Sequence, residues 1–194
     1  MEMQVTKLTL GPMDNNVYVV ACPRTKDSVV IDASHDAERI AQATAGTTVR
    51  YILLTHGDAD HIDALQDLRT RLAAPVGIHP ADAGRLSAPP DFAIADGQEI
   101  TVGDVTLRAM HTPGHTPGSV CFQAGTTLFS GDTLFPGGPG ATRGNKEHFA
   151  QIIAAIRDKL FVLPDDTAVR PGHGADTTIG AEKPHLQEWI DRGW

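Results

Sequence analysis

Eight side chains able to bind a metal ion fall in four short segments, each at the end of an apolar run. The segment Thr55-His56-Gly57-Asp58-Ala59-Asp60-His61 holds four of them within six residues. Mixed imidazole and carboxylate donors suit Zn, Fe or Mn. Alternation along extended backbone puts His56, Asp58 and Asp60 on one side, and a turn into a helix lets His61 join them. Taken alone, the segment also reads as a solvated acidic turn with a capping Asp at a helix start. The remaining segments change that balance. His111-Thr112-Pro113-Gly114-His115-Thr116-Pro117-Gly118-Ser119 carries two His on a loop whose prolines and glycines restrict its path. Ser130-Gly131-Asp132-Thr133 and Pro171-Gly172-His173-Gly174 place an acid and a His directly after apolar runs. A lone His or Asp in a turn usually bonds to backbone. Four Gly-flanked segments at strand ends in one chain point to one shared metal site.

The elements that must position these segments are short strands interleaved with helices. Val17–Val20 and Ser28–Ile31 read as a hairpin, and Ser34 or Asp36 as the cap of a helix through Ala45. Tyr51–Leu54 reads as a strand buried on both faces. Ile62, Leu65, Leu68 and Leu72 have helical spacing from His61 onward. Val76–Ile78, the alternating Val105, Leu107 and Ala109, the pair Val120–Phe122 and Thr127–Phe129, and Ala168–Arg170 complete the strands. Phe149, Ile152, Ile153, Ile156 and Leu160 form an amphipathic stripe, and Pro184–Trp189 reads as a terminal helix. Interleaving of this kind predicts a single layered α/β or α+β domain over residues 1–194. Periodicity leaves the sheet order open.

Composition narrows the partners. The 194 residues carry 16 basic and 24 acidic side chains, a net charge of −8. That balance disfavours nucleic acid or an anionic membrane as the main partner, and a small-molecule substrate is expected. No apolar run approaches the ~20 residues of a membrane span. No signal peptide is visible, and two cysteines make no disulfide framework, so a cytoplasmic location is expected. Oligomeric state is not legible. Cys22 and Cys121 are expected to be inert, and His35, His79, His148 and His185 structural or solvent-facing. His111 reads equally as a group orienting a ligand or as a loop residue.

The four segments, in order, resemble the metal motifs of the metallo-β-lactamase superfamily. The resemblance runs from Asp14-Asn15-Asn16-Val17-Tyr18 to Thr177-Thr178-Ile179-Gly180. The HTPGHTPGS loop, SGDTLF, LPDDT and PGHG are similar to the glyoxalase II-like hydrolases. The resemblance implies a four-layer αββα sandwich with one or two divalent metal ions (Zn, Fe or Mn) at one edge. It assigns His56, position 58 and His115 to one metal, Asp60, His61 and His173 to the other, and Asp132 as a bridge. It further implies a hydroxide between the metals that attacks a thioester, ester or lactone, with Asp60 orienting that nucleophile. β-Lactam hydrolysis is not expected, because the motifs are glyoxalase-like.

The family pattern is His-x-His-x-Asp-His, and this chain has Asp58 in place of the second His. Three readings follow. Asp58 is a ligand, and a third carboxylate then favours Fe or Mn over Zn, somewhat as the Glu at this place does in flavodiiron proteins. Alternatively Asp58 is too short, and the protein works with one metal. Otherwise the site has decayed and the fold is a silent metal- or ligand-binding module. A mononuclear alternative resembles the persulfide dioxygenases, which use one iron on two His and an Asp, here His56, His115 and Asp132. Only about twenty residues follow His173, so the helical region that holds glutathione in glyoxalase II proper is not expected. Arg143, Asn145 and Lys146, after the Gly-rich stretch 135–140, are the candidate substrate-binding residues, the two cations facing a carboxylate or phosphate.

Overall fold

The computed structural model describes residues 3–193. The first sheet begins as an antiparallel meander, β1 (Gln4–Leu10), β2 (Asn15–Ala21) and β3 (Asp27–Ile31). The chain crosses through α1 (Ala37–Ala43) to β4 (Thr48–Leu53), parallel to β3. It continues through α2 (Ala59–Ile62) and α3 (Leu65–Leu72) to β5 (Val76–Ile78), then α4 (Pro80–Ala83) and β6 (Phe92–Ala93). The second sheet starts with β7 (Glu99–Val102), β8 (Val105–His111), β9 (Val120–Ala124) and β10 (Thr127–Gly131), all antiparallel neighbours. A small hairpin, β11 (Leu134–Phe135) and β12 (Gly138–Pro139), leads to α5 (Lys146–Ala155). Then β13 (Ala168–Pro171) lies parallel to β10, β14 (Thr177–Thr178) closes the edge, and α6 (Ile179–Glu182) and α7 (Leu186–Arg192) follow. The strand orders are β1-β2-β3-β4-β5-β6 and β14-β13-β10-β9-β8-β7.

Period-two alternation explains why the sheets stack. In β2, Tyr18 and Val20 face one way, with Val29 and Ile31 of β3, Leu53 of β4, and Phe122 and Phe129 of the second sheet. Val17, Val19, Val30, Ile52 and Leu54 face the other way, against Ile40 of α1 and Leu65 and Leu68 of α3. On the second sheet, Cys121, Leu128 and Val169 face outward onto Ile152, Ile156, Leu160 and Trp189. The result is helix, sheet, sheet, helix, the four-layer αββα sandwich. Each buried Val, Leu, Ile or Phe stabilises it by roughly 1.5–3 kcal/mol.

Several boundaries differ from expectation for identifiable reasons. α1 ends at Ala43, and Asp36 is its cap, accepting from the Arg39 N–H at 3.0 Å. The helix expected onward from His61 is two helices. Ala33 N–H donates to His61 O, and Ala64 N–H donates to Ala33 O, so tertiary bonds take the backbone groups a continuous helix needs. The terminal helix starts at Leu186, after a tight turn over Lys183–His185, and runs to Arg192. β1 and β7 are additional strands; β1 is half-exposed and lacks a clean apolar run. Among the described residues, no helix is long and apolar enough to cross a membrane.

Candidate metal centre

All four ligand segments arrive at one edge of the sandwich, where strands of both sheets end. His56 and His61 follow β4, His115 lies between β8 and β9, Asp132 follows β10, and His173 follows β13. Among the described residues two donor groups result: His56, His115 and Asp132, and Asp60, His61 and His173. In each, the donor atoms lie within 4.8 Å of one another. Asp132 faces both groups. Its Oδ1 is 3.5 Å from His61 Nε2, and its Oδ2 is 3.6 Å from His115 Nε2 and 3.4 Å from His173 Nε2.

Each imidazole is oriented by a bond at Nδ1, leaving Nε2 to face the centre. His56 Nδ1 bonds Thr55 Oγ1 at 2.9 Å, and His61 Nδ1 bonds Asp32 Oδ2 at 3.0 Å. His115 Nδ1 donates to Ala141 O at 2.8 Å and His173 Nδ1 to Met13 O at 2.9 Å. Fixing the second nitrogen this way is how metal-binding His residues are held. Buried polar atoms without a partner are rare in folded proteins. Two here are His56 Nε2 and Asp132 Oδ1, both inside the ring of donors. A divalent metal satisfies them, so the donor set fits the group. Gly172 belongs to the same cradle: a Cβ there would overlap Asp132 Oδ1 and lie 2.8 Å from His61 Cε1. Gly172→Ala is therefore expected to fold yet lose at least one equivalent of bound metal, as read by elemental analysis beside circular dichroism.

The electrostatics are those of a site built for cations. Burial opposes a charge on His61, but the carboxylates of Asp32, Asp132 and Asp60 outweigh it and push the imidazole up to about 9. His173 is also raised, chiefly by its bond to Asp132. Burial, helped by neighbouring His61, pushes His56 down to about 4. Burial opposes the charge on Asp132 too, but the surrounding imidazoles hold it well below the usual carboxylate range. His61 Nε2 and His173 Nε2 lie 3.1 Å apart, a hydrogen bond that requires a proton on one of the two. A metal must displace that proton. The raised His61 keeps its proton up to about pH 9, so metal affinity is expected to rise with pH from 6 to 8. The rise should be about tenfold per unit for each proton displaced. Calorimetry of Zn²⁺ binding in two buffers of different ionisation enthalpy checks this, and zero proton release would contradict it.

Several supporting residues carried no signal in the sequence. Asp32, 1% exposed, accepts from Thr55 N–H at 2.7 Å, Thr55 Oγ1–H at 2.8 Å and His61 Nδ1, and so sets two ligands at once. Asp82, fully buried, accepts from Gly57 N–H, Thr116 Oγ1–H and Gly118 N–H, tying the His56 turn to the His115 loop. Asn15 Nδ2 donates to Asp60 Oδ2 at 2.8 Å, and His35 bonds Asn15 Oδ1 and Asp63, a chain leading to a ligand. Asn16 and Tyr18 both donate to Pro171 O beside the His173 turn. His111 touches no ligand: it stacks on His79 and donates from Nε2 to Pro117 O, bracing the loop that carries His115. Both cysteines are buried, and burial pushes the Cys121 thiol up to about 11, as an inert residue requires.

The other sequence candidates sit as follows. Asp58 starts α2 but makes no capping bond; its oxygens face Arg85 and Arg143, outside both donor groups. Asn145 caps α5, accepting from Glu147 and His148 N–H. Arg143 and Lys146 line a groove of about 340 Å³. It adjoins, through Pro139–Ala141, a cleft of about 410 Å³ over His115, Asp132, His173, Phe135 and Arg192. Glu182 holds this cleft's wall by accepting from Gly137 N–H at 2.8 Å.

Comparison with known proteins agrees with the geometry. Residues 10–173 match the model of the metallo-beta-lactamase superfamily. The chain belongs to that superfamily. Hydroxyacylglutathione hydrolase GloC of Haemophilus influenzae is 32% identical over 180 residues, covering 81% of this chain and 85% of that one. The crystal structure of BLEG-1 B3 metallo-beta-lactamase superposes with a TM-score of 0.86 at 33% identity, covering 94% and 98%. TTHA1623, solved in a di-iron-bound form, superposes with a TM-score of 0.78 at 33% identity, covering 92% and 97%. A metallo-beta-lactamase superfamily hydrolase is the activity class these likenesses support.

Proposed function

We propose that this chain is a metal-dependent hydrolase of acyl thioesters, esters or lactones, in the manner of glyoxalase II. The observation that carries the reading is the convergence of six donors, four of them imidazoles with Nδ1 already committed, around unpartnered buried His56 Nε2 and Asp132 Oδ1. Divalent metals bound there supply Lewis acidity to the acyl carbonyl and acidify the attacking water. The chain's own groups do the rest. Asp60, kept ionised despite partial burial by the hydrogen bond from Asn15 Nδ2 and then by the imidazoles, orients the water and receives its proton. Phe135, with its ring centroid 6.3 Å from that of His173, and the glycines of the 137–140 wall leave one side open to an acyl chain. Arg143 and Lys146, in the adjoining groove, lie where an anionic end of the substrate would extend. The likeness to GloC supports a thioester, and that to the di-iron TTHA1623 supports iron among the usable metals.

The test is an anaerobic assay of protein loaded with Zn²⁺, Mn²⁺ or Fe²⁺ against a generic acyl thioester, an aryl ester, a lactone and a β-lactam. Hydrolysis of any of the first three, abolished by chelator and restored by metal, is the expected result. Turnover confined to the β-lactam, or oxygen consumption with a persulfide and no hydrolysis, would sink the reading.

A further inference from the structure

Position 58 is where the chain departs from its family's ligand pattern, and its surroundings say what the carboxylate does instead. Arg85 Nη1 donates to Asp58 Oδ1 at 2.6 Å, and Arg143 Nη2 donates to Oδ2 at 2.5 Å. The guanidiniums come from separate segments, Arg85 just after α4 and Arg143 from the loop before α5. Arg85 is backed by buried Asp82, 3.7 Å from its Nε. The Asp58 side chain is only 13% exposed, so its charge is poorly solvated and depends on these partners. Its Oδ2 lies 3.2 Å from His115 Nε2, yet Asp58 stands outside the group of His56, His115 and Asp132. The other position contrasts with this. His61 Nε2 and His173 Nε2 lie 3.1 Å apart, and Asp60 and Asp132 each come within 3.4–3.6 Å of both. These four side chains would hold one divalent ion between them.

We propose that Arg85 and Arg143 withhold Asp58 from the metal, so that the two positions are unequal. Asp60, His61, His173 and Asp132 take one divalent ion tightly. His56 and His115, sharing Asp132 and lacking a third ligand of their own, take a second ion weakly. Recruiting Asp58 would break one of its two charged hydrogen bonds and leave a guanidinium facing the incoming cation, which is why the pair of arginines matters more than the length of the side chain. This inference rests on the reading above that these groups hold metal.

The test is titration of the metal-free full-length protein with Mn²⁺, followed by calorimetry and by electron paramagnetic resonance. The parent is expected to bind one equivalent tightly and a second about ten- to a hundredfold more weakly, with an uncoupled Mn²⁺ signal at one equivalent. Asp58→His is expected to tighten the second ion about tenfold or more and to give an exchange-coupled pair signal at two equivalents. Arg85→Met combined with Arg143→Met, which frees the carboxylate, is expected to tighten it in the same direction. Asp58→Asn is expected to leave the tight equivalent unchanged. Two equivalents of equal affinity in the parent, with one lost in Asp58→Asn, would overturn the inference while leaving the hydrolase reading intact. No Mn²⁺ bound by parent or variants would overturn both.

Discussion

Asp132→Ala should abolish hydrolysis while leaving the metal-free fold in place. Among the described residues, Asp132 is the one carboxylate within 3.6 Å of His61, His115 and His173 together, so its loss removes a donor from both positions. Lewis-acid stabilisation of an acyl transition state is worth several kcal/mol. Activity is therefore expected to fall about a thousandfold or more, since each 1.36 kcal/mol is tenfold. The control is thermal. A ligand at about a thousand times its dissociation constant stabilises the native state by about 4 kcal/mol. That metal-induced rise in melting temperature should appear in the parent and vanish in Asp132→Ala. Asp132 Oδ1 makes no internal hydrogen bond, but Oδ2 faces His173 and His115, so the metal-free melting temperature should fall while the cooperative transition remains. Retention of full metal stoichiometry in the variant would remove Asp132 from the site.

The second large effect is expected at a residue that touches no metal. Asp32→Ala strips the acceptor from Thr55 N–H, Thr55 Oγ1–H and His61 Nδ1, in a region where Asp32 is 1% and His61 0% exposed. Each buried donor left unsatisfied costs about 1–3 kcal/mol, so a loss of a few kcal/mol in stability is expected. Thr55 also orients His56, so both donor groups loosen and metal affinity should drop about ten- to a hundredfold. Asp32→Asn separates the two consequences. Its amide can still accept from Thr55, but it turns a donor toward His61. Most of the stability should return while metal affinity stays reduced. Calorimetric metal affinity measured beside denaturant unfolding checks this; an Asp32→Asn protein that binds metal as the parent does would refute the orienting role.

The difference between these residues explains what was legible before the structure. The six convergent donors were readable because each sits at a strand end, in a segment whose composition is local: an apolar β-branched run, then His or Asp, then Gly. Strand order was not readable, since Val17–Val20 looks the same whatever lies beside it. The break between α2 and α3 was invisible for a similar reason. Helical spacing of Ile62, Leu65, Leu68 and Leu72 is a property of side chains, whereas the interruption comes from backbone bonds to Ala33. Asp32 and Asp82 resembled any turn or cap acid until the fold buried them.

What the sequence by itself determined is the donor inventory and its spacing, and with it the superfamily and the class of chemistry. Ligand type and local backbone direction are short-range properties, carried by neighbouring residues. What only the tertiary structure decided is which groups face Asp58. Its partners stand 27 and 85 residues away in the chain, and they reach it because the sheets bring the turn after α4 and the loop before α5 to the same edge. A carboxylate will bind a metal or pair with a guanidinium according to what faces it, and that is set by packing.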